Sequence, residues 1–194
     1  MKKLTFFAVS LLAVFCVFSL FAQQSSSSQA SGPAGVILTH YAARAFTTGA
    51  IPKTDLDLIV QTGVRAPSAR NLQPWHFTVV QNLNLAKKIV PQMVEGNALV
   101  VISAAGDSKT NAVEIIDCSL ATQRIYLAAQ ALGYGSRIYT GPIDTINRNL
   151  KGELGLPRNH SAIAVVRIGR VEGRPDAVSA ASARKAASEV VTYK

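Results

Sequence analysis

The stretch Ala66 to Phe77, APSARNLQPWHF, decides how the chain divides. Pro67 ends whatever helix precedes it, because the residue before a proline is pushed out of the helical region. Pro74 stiffens the far side, and HFTVVQ, from His76 to Gln81, then carries the aromatic and β-branched residues of a strand. Between them Ser68, Arg70, Asn71 and Gln73 crowd into a short polar loop beside Trp75. A loop held at both ends by proline can present amide and hydroxyl groups in fixed positions, as a flat heteroaromatic ligand with alternating donors and acceptors requires. A well-made turn with no ligand is the alternative that composition alone leaves open.

Working outward from this loop, the preceding segment reads as a helix starting at Thr54. Thr54 can cap it, Asp55 and Asp57 suit the positive end of its dipole, and Leu56, Ile59, Val60 and Gly63 fall on one face. Val36 to Ala43 is a shorter helical stretch. After the strand, Leu83 to Val94 is a further helix with Pro91 breaking its end, and ALVVISAA, from Ala98 to Ala105, is a strand buried on both faces. Asn111 to Leu132 contains neither proline nor glycine and is apolar on every side, which predicts a buried central helix ending at Gly133. Ser136 to Tyr139 is a short strand, Asp144 to Leu154 a helix, and Ser161 to Ile168 a second buried strand. From about Glu172 the chain reads as an irregular tail. Helices and strands mix without strict alternation, so the class is α+β, and no internal repeat is visible.

The 194 residues suit one domain, and 48% apolar residues are enough for a core, which excludes a disordered protein. Two cysteines exclude a disulfide scaffold. The net charge of +9 is spread through apolar sequence, and aromatic residues make up only 7%. That is a mild bias towards anionic partners and excludes a nucleic-acid-binding module.

Residues 1–22 are expected to lie outside the fold. Lys2 and Lys3 precede a run from Leu4 to Phe21 broken only by Thr5, Ser10 and Ser19, and Ala22 stands at its exit. This is the pattern of a secretory signal peptide, with export to the periplasm or exterior as its consequence. The rival readings are an uncleaved membrane anchor, for which the run is near spanning length, and a lipid anchor on Cys16, which the bulky Phe15 disfavours. Residues 23–35, QQSSSSQASGPAG, form a flexible spacer, and residues 36–194 form the domain. Removal of residues 1–22 leaves Cys118 alone, so the exported domain is stable without an internal disulfide.

The loop pattern is more specific than its composition. APSARNLQPWHF resembles the signature loop of the flavin-dependent nitroreductase family, which runs A-P-S-x-x-N-x-Q-P-W-x-F. Three more segments resemble that family in the same order. HYAARAF, from His40 to Phe46, stands where the family has an R-R-S-x-R-x-F-like segment. DCSLATQRIYLAAQALGYGS, from Asp117, is similar to its long central helix with the following G-x-G-S. RKAASEVVTY, from Arg184, is similar to its closing R-K-x-x-x-E-x-V-x-Y.

The resemblance implies a three-layer α/β/α sandwich with a mainly antiparallel mixed sheet. It also implies non-covalent FMN at the interface of a homodimer. Electrons would come from NADH or NADPH and pass to nitroaromatics, quinones or other small acceptors in a ping-pong cycle. In such an enzyme the flavin carries the chemistry, so no acid–base triad, catalytic side chain or metal ligand set is expected. His40, His76 and His160 are accordingly scattered. By matching motif positions, the resemblance places His40, Tyr41, Ala42 and Arg44 near the flavin phosphate, and Ser68, Ala69, Asn71 and Gln73 along its ring. A backbone N–H of that loop would meet N5 or O4. Tyr139, Thr140 and Gly141 pack near the ring, and Arg184 with Lys185 pairs with the phosphate.

This chain departs from the family pattern at three of those positions. His40 replaces the first arginine, Tyr41 stands at the second position, and Ala42 replaces the serine. A permanent charge and a hydroxyl are lost, and Arg70 is the residue placed to compensate. The insert that often covers the active site is missing between Trp75 and Asp117, which implies an open site. The departures keep a second reading in view, a non-catalytic protein that uses the same fold to bind flavin or another small anion. Export raises its own difficulty, because NAD(P)H is a cytoplasmic reductant.

Overall fold

In a computed structural model, residues 33–106, 112–172 and 185–194 are described. The chain divides after Thr39, and the described residues of the first unit form helix α1 (Pro33–Thr39), which starts three residues before the expected Val36.

In the second unit, helix α2 (Lys53–Val64) begins one residue earlier than Thr54 suggests, because Pro52 takes the N-cap position and its carbonyl accepts from the Asp55 and Leu56 N–H groups. Thr54 is therefore inside the helix and caps nothing. The two aspartates serve elsewhere: Asp57 pairs with Lys53 one turn back, and Asp55 accepts a 2.5 Å hydrogen bond from the Tyr134 hydroxyl. The loop follows, with a single 3₁₀ turn at Ala69–Asn71, and then strand β1 (Trp75–Val80). Helix α3 (Leu83–Ile89) is capped by the Asn82 side chain and stops before Pro91, shorter than the expected run to Val94. Strand β2 (Ala98–Ala105) has the expected bounds. Helix α4 (Ala112–Ala131) is the long central helix, and strand β3 (Gly135–Tyr139) follows it.

The expected helix at 144–154 is a composite. A short α5 (Ile143–Thr145) runs into a wide π-type turn at Ile146–Leu150. Strand β4 (His160–Gly169) completes the sheet. Residues 173–184 lie outside the described residues, and a four-residue helix α6 (Ala187–Val190) interrupts the expected irregular tail.

The four strands lie in the order β1-β2-β4-β3, and every pairing among them is antiparallel. The register slips between Ile102 and Ser103, which leaves Ile163 of β4 as the extra residue of a bulge. The Asn147 side chain repairs the ladder there, accepting from the Ala162 N–H at 2.7 Å and donating to the Ala162 carbonyl at 3.3 Å.

Alternation along β2 builds a core on each face of the sheet. Val100, Ile102 and Ala104 pack with Leu56 and Ile59 of α2 and with Cys118 and Ile125 of α4. Leu99 and Val101 pack on the other side with Ala86 and Ile89 of α3 and with Ile146 and Leu150. This is the three-layer α/β/α arrangement. Helix α4 crosses all four strands and packs on α2. It is buried along that side, yet Val113, Ile116 and Leu120 on its other side are 47%, 60% and 41% exposed. An apolar circumference does not say which arc the chain itself covers, and α2 and the sheet cover only part of it.

Candidate functional site

The signature loop has an unusual backbone. Arg70, Asn71 and Gln73 adopt φ values of 52°, 56° and 47°, in the left-handed region that residues other than glycine avoid. Arg70 and Gln73 each cost about 1–2 kcal/mol there, and Asn71 less, since asparagine tolerates this region; such strain persists where the surroundings over-determine it. The ties are specific. Gln73 N–H donates to Ser68 Oγ at 3.0 Å, and the Gln73 carboxamide donates to Asn71 Oδ1 at 3.3 Å. The N–H groups of Asn71 and Leu72 donate to the carbonyls of Ser68 and Ala69. Ala69 N–H donates to both carboxylate oxygens of Asp117 on α4, at 3.1 and 3.2 Å. The amide at Ala69 is therefore spoken for, and it is not the loop N–H that could meet a ligand. Asn71 and Gln73 remain exposed, while Ser68 and Ala69 are half-buried.

The His40–Arg44 segment is held at the other end of α4. The buried Gln130 carboxamide accepts from Tyr41 N–H at 3.1 Å and donates to the Tyr41 carbonyl at 2.8 Å and to Ser136 Oγ at 2.9 Å. Ala43 N–H donates to the Ser136 carbonyl, and its methyl is fully buried. This pinning leaves the side chains of Ala42 and Arg44 exposed. The His40 ring meets Tyr126 edge-on at 5.6 Å.

Tyr139 is half-buried at the end of β3, with the Arg137 guanidinium 5.2 Å over its ring. On the neighbouring strand β4, the buried Arg167 guanidinium donates to Asn97 Oδ1 at 2.8 and 3.1 Å and lies 4.0 Å over the Phe46 ring. Burial lowers the pKa of Arg167, and the Tyr139 hydrogen bond works against that shift. Thr140 and Gly141 are exposed, and among the described residues nothing lies within 4 Å of a Cβ placed on Gly141, so their packing does not require glycine there. Lys185 is exposed in the tail, and Arg184 lies outside the described residues.

Among the described residues, the Ser68–Gln73 loop does not meet the His40–Arg44 segment or Tyr139 within one chain. Asp117, which holds the loop, and Gln130, which holds the first segment, are thirteen residues apart on α4, about 20 Å along a helix that rises 1.5 Å per residue. Tyr139 is on the opposite edge strand from β1, about 14 Å away at the usual strand spacing.

The sequence matches the family model of the Nitroreductase family over residues 37–100 and 88–170. A relative from Archaeoglobus fulgidus, whose name reads NADH dehydrogenase/NAD(P)H nitroreductase, is 33% identical over 151 residues, covering 73% of this chain and 86% of its own. The chain belongs to the nitroreductase family. Among solved structures, a nitroreductase with bound FMN from Desulfitobacterium hafniense superimposes with a TM-score of 0.67 at 20% identity, over 82% of this chain and 96% of that one. The NADPH:FMN oxidoreductase of Vibrio harveyi, solved with NAD+, gives a TM-score of 0.68 at 23% identity over 81% and 75%. At those identities the two structures speak for the fold.

For this nitroreductase, sequence reasoning missed the residues that hold the site in place. Asp117, Gln130 and Asn97 are buried polar residues that bond to backbone or side chains far away in sequence. The signal for the first two is a polar residue inside an otherwise apolar helical run. The neighbouring Cys118 thiol is pushed up to about 12 by burial, then by the carboxylates of Asp117 and Glu114, which makes it an inert packing residue. Among the described residues no group of three or more His, Cys, Asp or Glu is placed to hold a metal ion, and no helix is long and apolar enough to cross a membrane. The Leu4–Phe21 run lies outside those residues.

Proposed function

We propose that this nitroreductase is an exported homodimer that uses FMN to pass electrons from NADH or NADPH to small acceptors such as nitroaromatics or quinones. Its family membership and its named NAD(P)H nitroreductase relative make it a flavin-dependent oxidoreductase. The observation that carries the reading is the separation of the two half-sites along α4, with the exposed apolar Val113, Ile116 and Leu120 at the loop end. In a two-fold dimer with antiparallel α4 helices, the Asp117 end of one copy lies beside the Gln130 end of the other. The loop of one protomer then completes the His40–Arg44 segment of its partner, and the apolar stripe is covered.

The residues present fit the flavin. Arg44 and Lys185 are exposed cations for the phosphate, with Arg184 added from the sequence pattern. Asn71 and Gln73 offer amides of both polarities to the ring edge. Arg70 keeps the one loop N–H, among residues 69–73, that the loop's own bonds leave over. When bound, FMN supplies the electron transfer between nicotinamide and acceptor. The chain's own residues bind and orient it and hold its charged tail. The absent insert leaves the site open, which favours small acceptors of varied shape.

The test is an absorbance spectrum of the protein purified without added cofactor, followed by FMN titration. Bands near about 370 and 450 nm that survive dialysis are expected, together with their bleaching by NADH or NADPH. A colourless protein that stays so after FMN would favour the non-catalytic ligand-binding reading, which rests on the charge lost at His40 and the hydroxyl lost at Ala42. A flavin that binds but resists both nicotinamides would point to a different donor outside the cytoplasm.

A further inference from the structure

Asp117 poses a problem that packing does not solve. Its side chain is buried, at 4% exposure, in the helix face that covers the sheet and α2. A buried carboxylate is costly unless it is paired or well hydrogen-bonded. Among the described residues no lysine, arginine or histidine forms an ion pair with it. Both of its oxygens converge on one group, the Ala69 N–H, 48 residues away. An apolar residue would fill the same space at less cost, so this carboxylate is explained by what it does to the loop.

Immediately after Ala69 come the three left-handed residues, Arg70, Asn71 and Gln73. Among the described residues, the other ties that shape them are internal to the loop: Ser68 Oγ and carbonyl, the Ala69 carbonyl, and the Asn71–Gln73 side-chain contact. Internal bonds move with a loop and cannot fix it to the scaffold. The contact to Asp117 can, because α4 is the most extensively packed helix. It also spends the Ala69 amide, so that among the described residues the N–H of Arg70 is the backbone donor within 69–73 left for a ligand.

We propose that Asp117 is the positioning residue of the Ser68–Gln73 loop: by taking the Ala69 N–H it anchors the strained turn to α4 and leaves the Arg70 N–H as the loop's backbone donor. The anchoring itself is independent of any ligand. Its consequence for flavin binding rests on the function proposed above.

The test compares Asp117→Asn, which keeps an acceptor oxygen in place, with Asp117→Ala, which removes it. Amide hydrogen exchange of the full-length protein without cofactor is followed by mass spectrometry, and FMN affinity by fluorescence titration. Asp117→Ala should speed exchange at Ala69, Asn71, Leu72 and Gln73 by about 10-fold or more while β2 keeps its protection, and should weaken FMN binding by about 10-fold. Asp117→Asn should return both to within a few-fold of the parent. Loop exchange unchanged by Asp117→Ala overturns the proposal, as does failure of Asp117→Asn to restore protection. Should Asp117→Ala not fold, Asp117→Ser takes its place, since it stays polar but falls short of Ala69. If the parent protein binds no FMN, the flavin reading fails, and the exchange comparison still decides the anchor.

Discussion

His160 shows how a single residue can tie this fold to pH. Its Nδ1 lies 3.3 Å from Ser103 Oγ, and its ring stands edge-on to His76 with centroids 6.0 Å apart, on the α3 face of the sheet. Burial, then the charge of His76, then that of Lys151 lower its pKa from the ordinary 6.5, and a hydrogen bond to Ser103 opposes them. Below pH 6.5 the unfolded chain therefore binds a proton that the folded chain resists. This contribution to stability is complete above about pH 6.5 and is lost as pH falls through the lower folded pKa. The melting temperature should drop between pH 7 and pH 5, and His76→Gln should shrink that drop. Identical pH profiles for parent and variant would remove His76 from the account. At this scale the sequence displayed the polar residues of the loop but not their bonds. Ser68, Asn71 and Gln73 were legible as a cluster. That the Ala69 amide is spent on Asp117 was not, because a contact across 48 residues leaves no local pattern.

Among the elements, β4 depends most on its neighbours. A Cβ added to Gly169 would sit 2.4 Å from the Asn97 carboxamide. That carboxamide donates to the Thr47 carbonyl at 3.0 Å and accepts from the buried Arg167 guanidinium. Gly169→Ala must displace it and strand a buried cation. The expected cost is about 2–4 kcal/mol, from overpacking and lost buried hydrogen bonds together. It should read as a lower denaturant midpoint with an unchanged slope, and a midpoint equal to the parent's would mean the strand end can yield. The buried strands were readable because burial on both faces forces a continuous apolar run, as in ALVVISAA. The Ile143–Leu150 segment was not, since an α-helix and a π-type turn share one composition. The bulge at Ile163 was invisible for another reason: it depends on register against β2, which the sequence of β4 does not contain.

At the scale of the whole molecule, the proposed dimer makes the sharpest demand. Leu120→Glu, or Ile116→Lys, places a charge in the exposed apolar stripe of α4. Analytical ultracentrifugation should show the parent as a dimer and either variant as a monomer, with FMN affinity reduced about 10-fold or more because each site then lacks its second half. A parent protein that sediments as a monomer yet binds FMN would mean that the half-sites are bridged in another way. By itself the sequence determined the class, the order of helices and strands, and family membership, since hydrophobic period, proline and glycine punctuation and the ordered motifs are local properties that survive without a fold. Only the tertiary structure decided that Asp117 and Gln130 pin two halves of the candidate site about 20 Å apart, which arc of α4 stays uncovered, and which loop amide is left for a ligand. Those are facts of distance and of spent hydrogen bonds. They exist only once residues remote in the chain have been brought into contact.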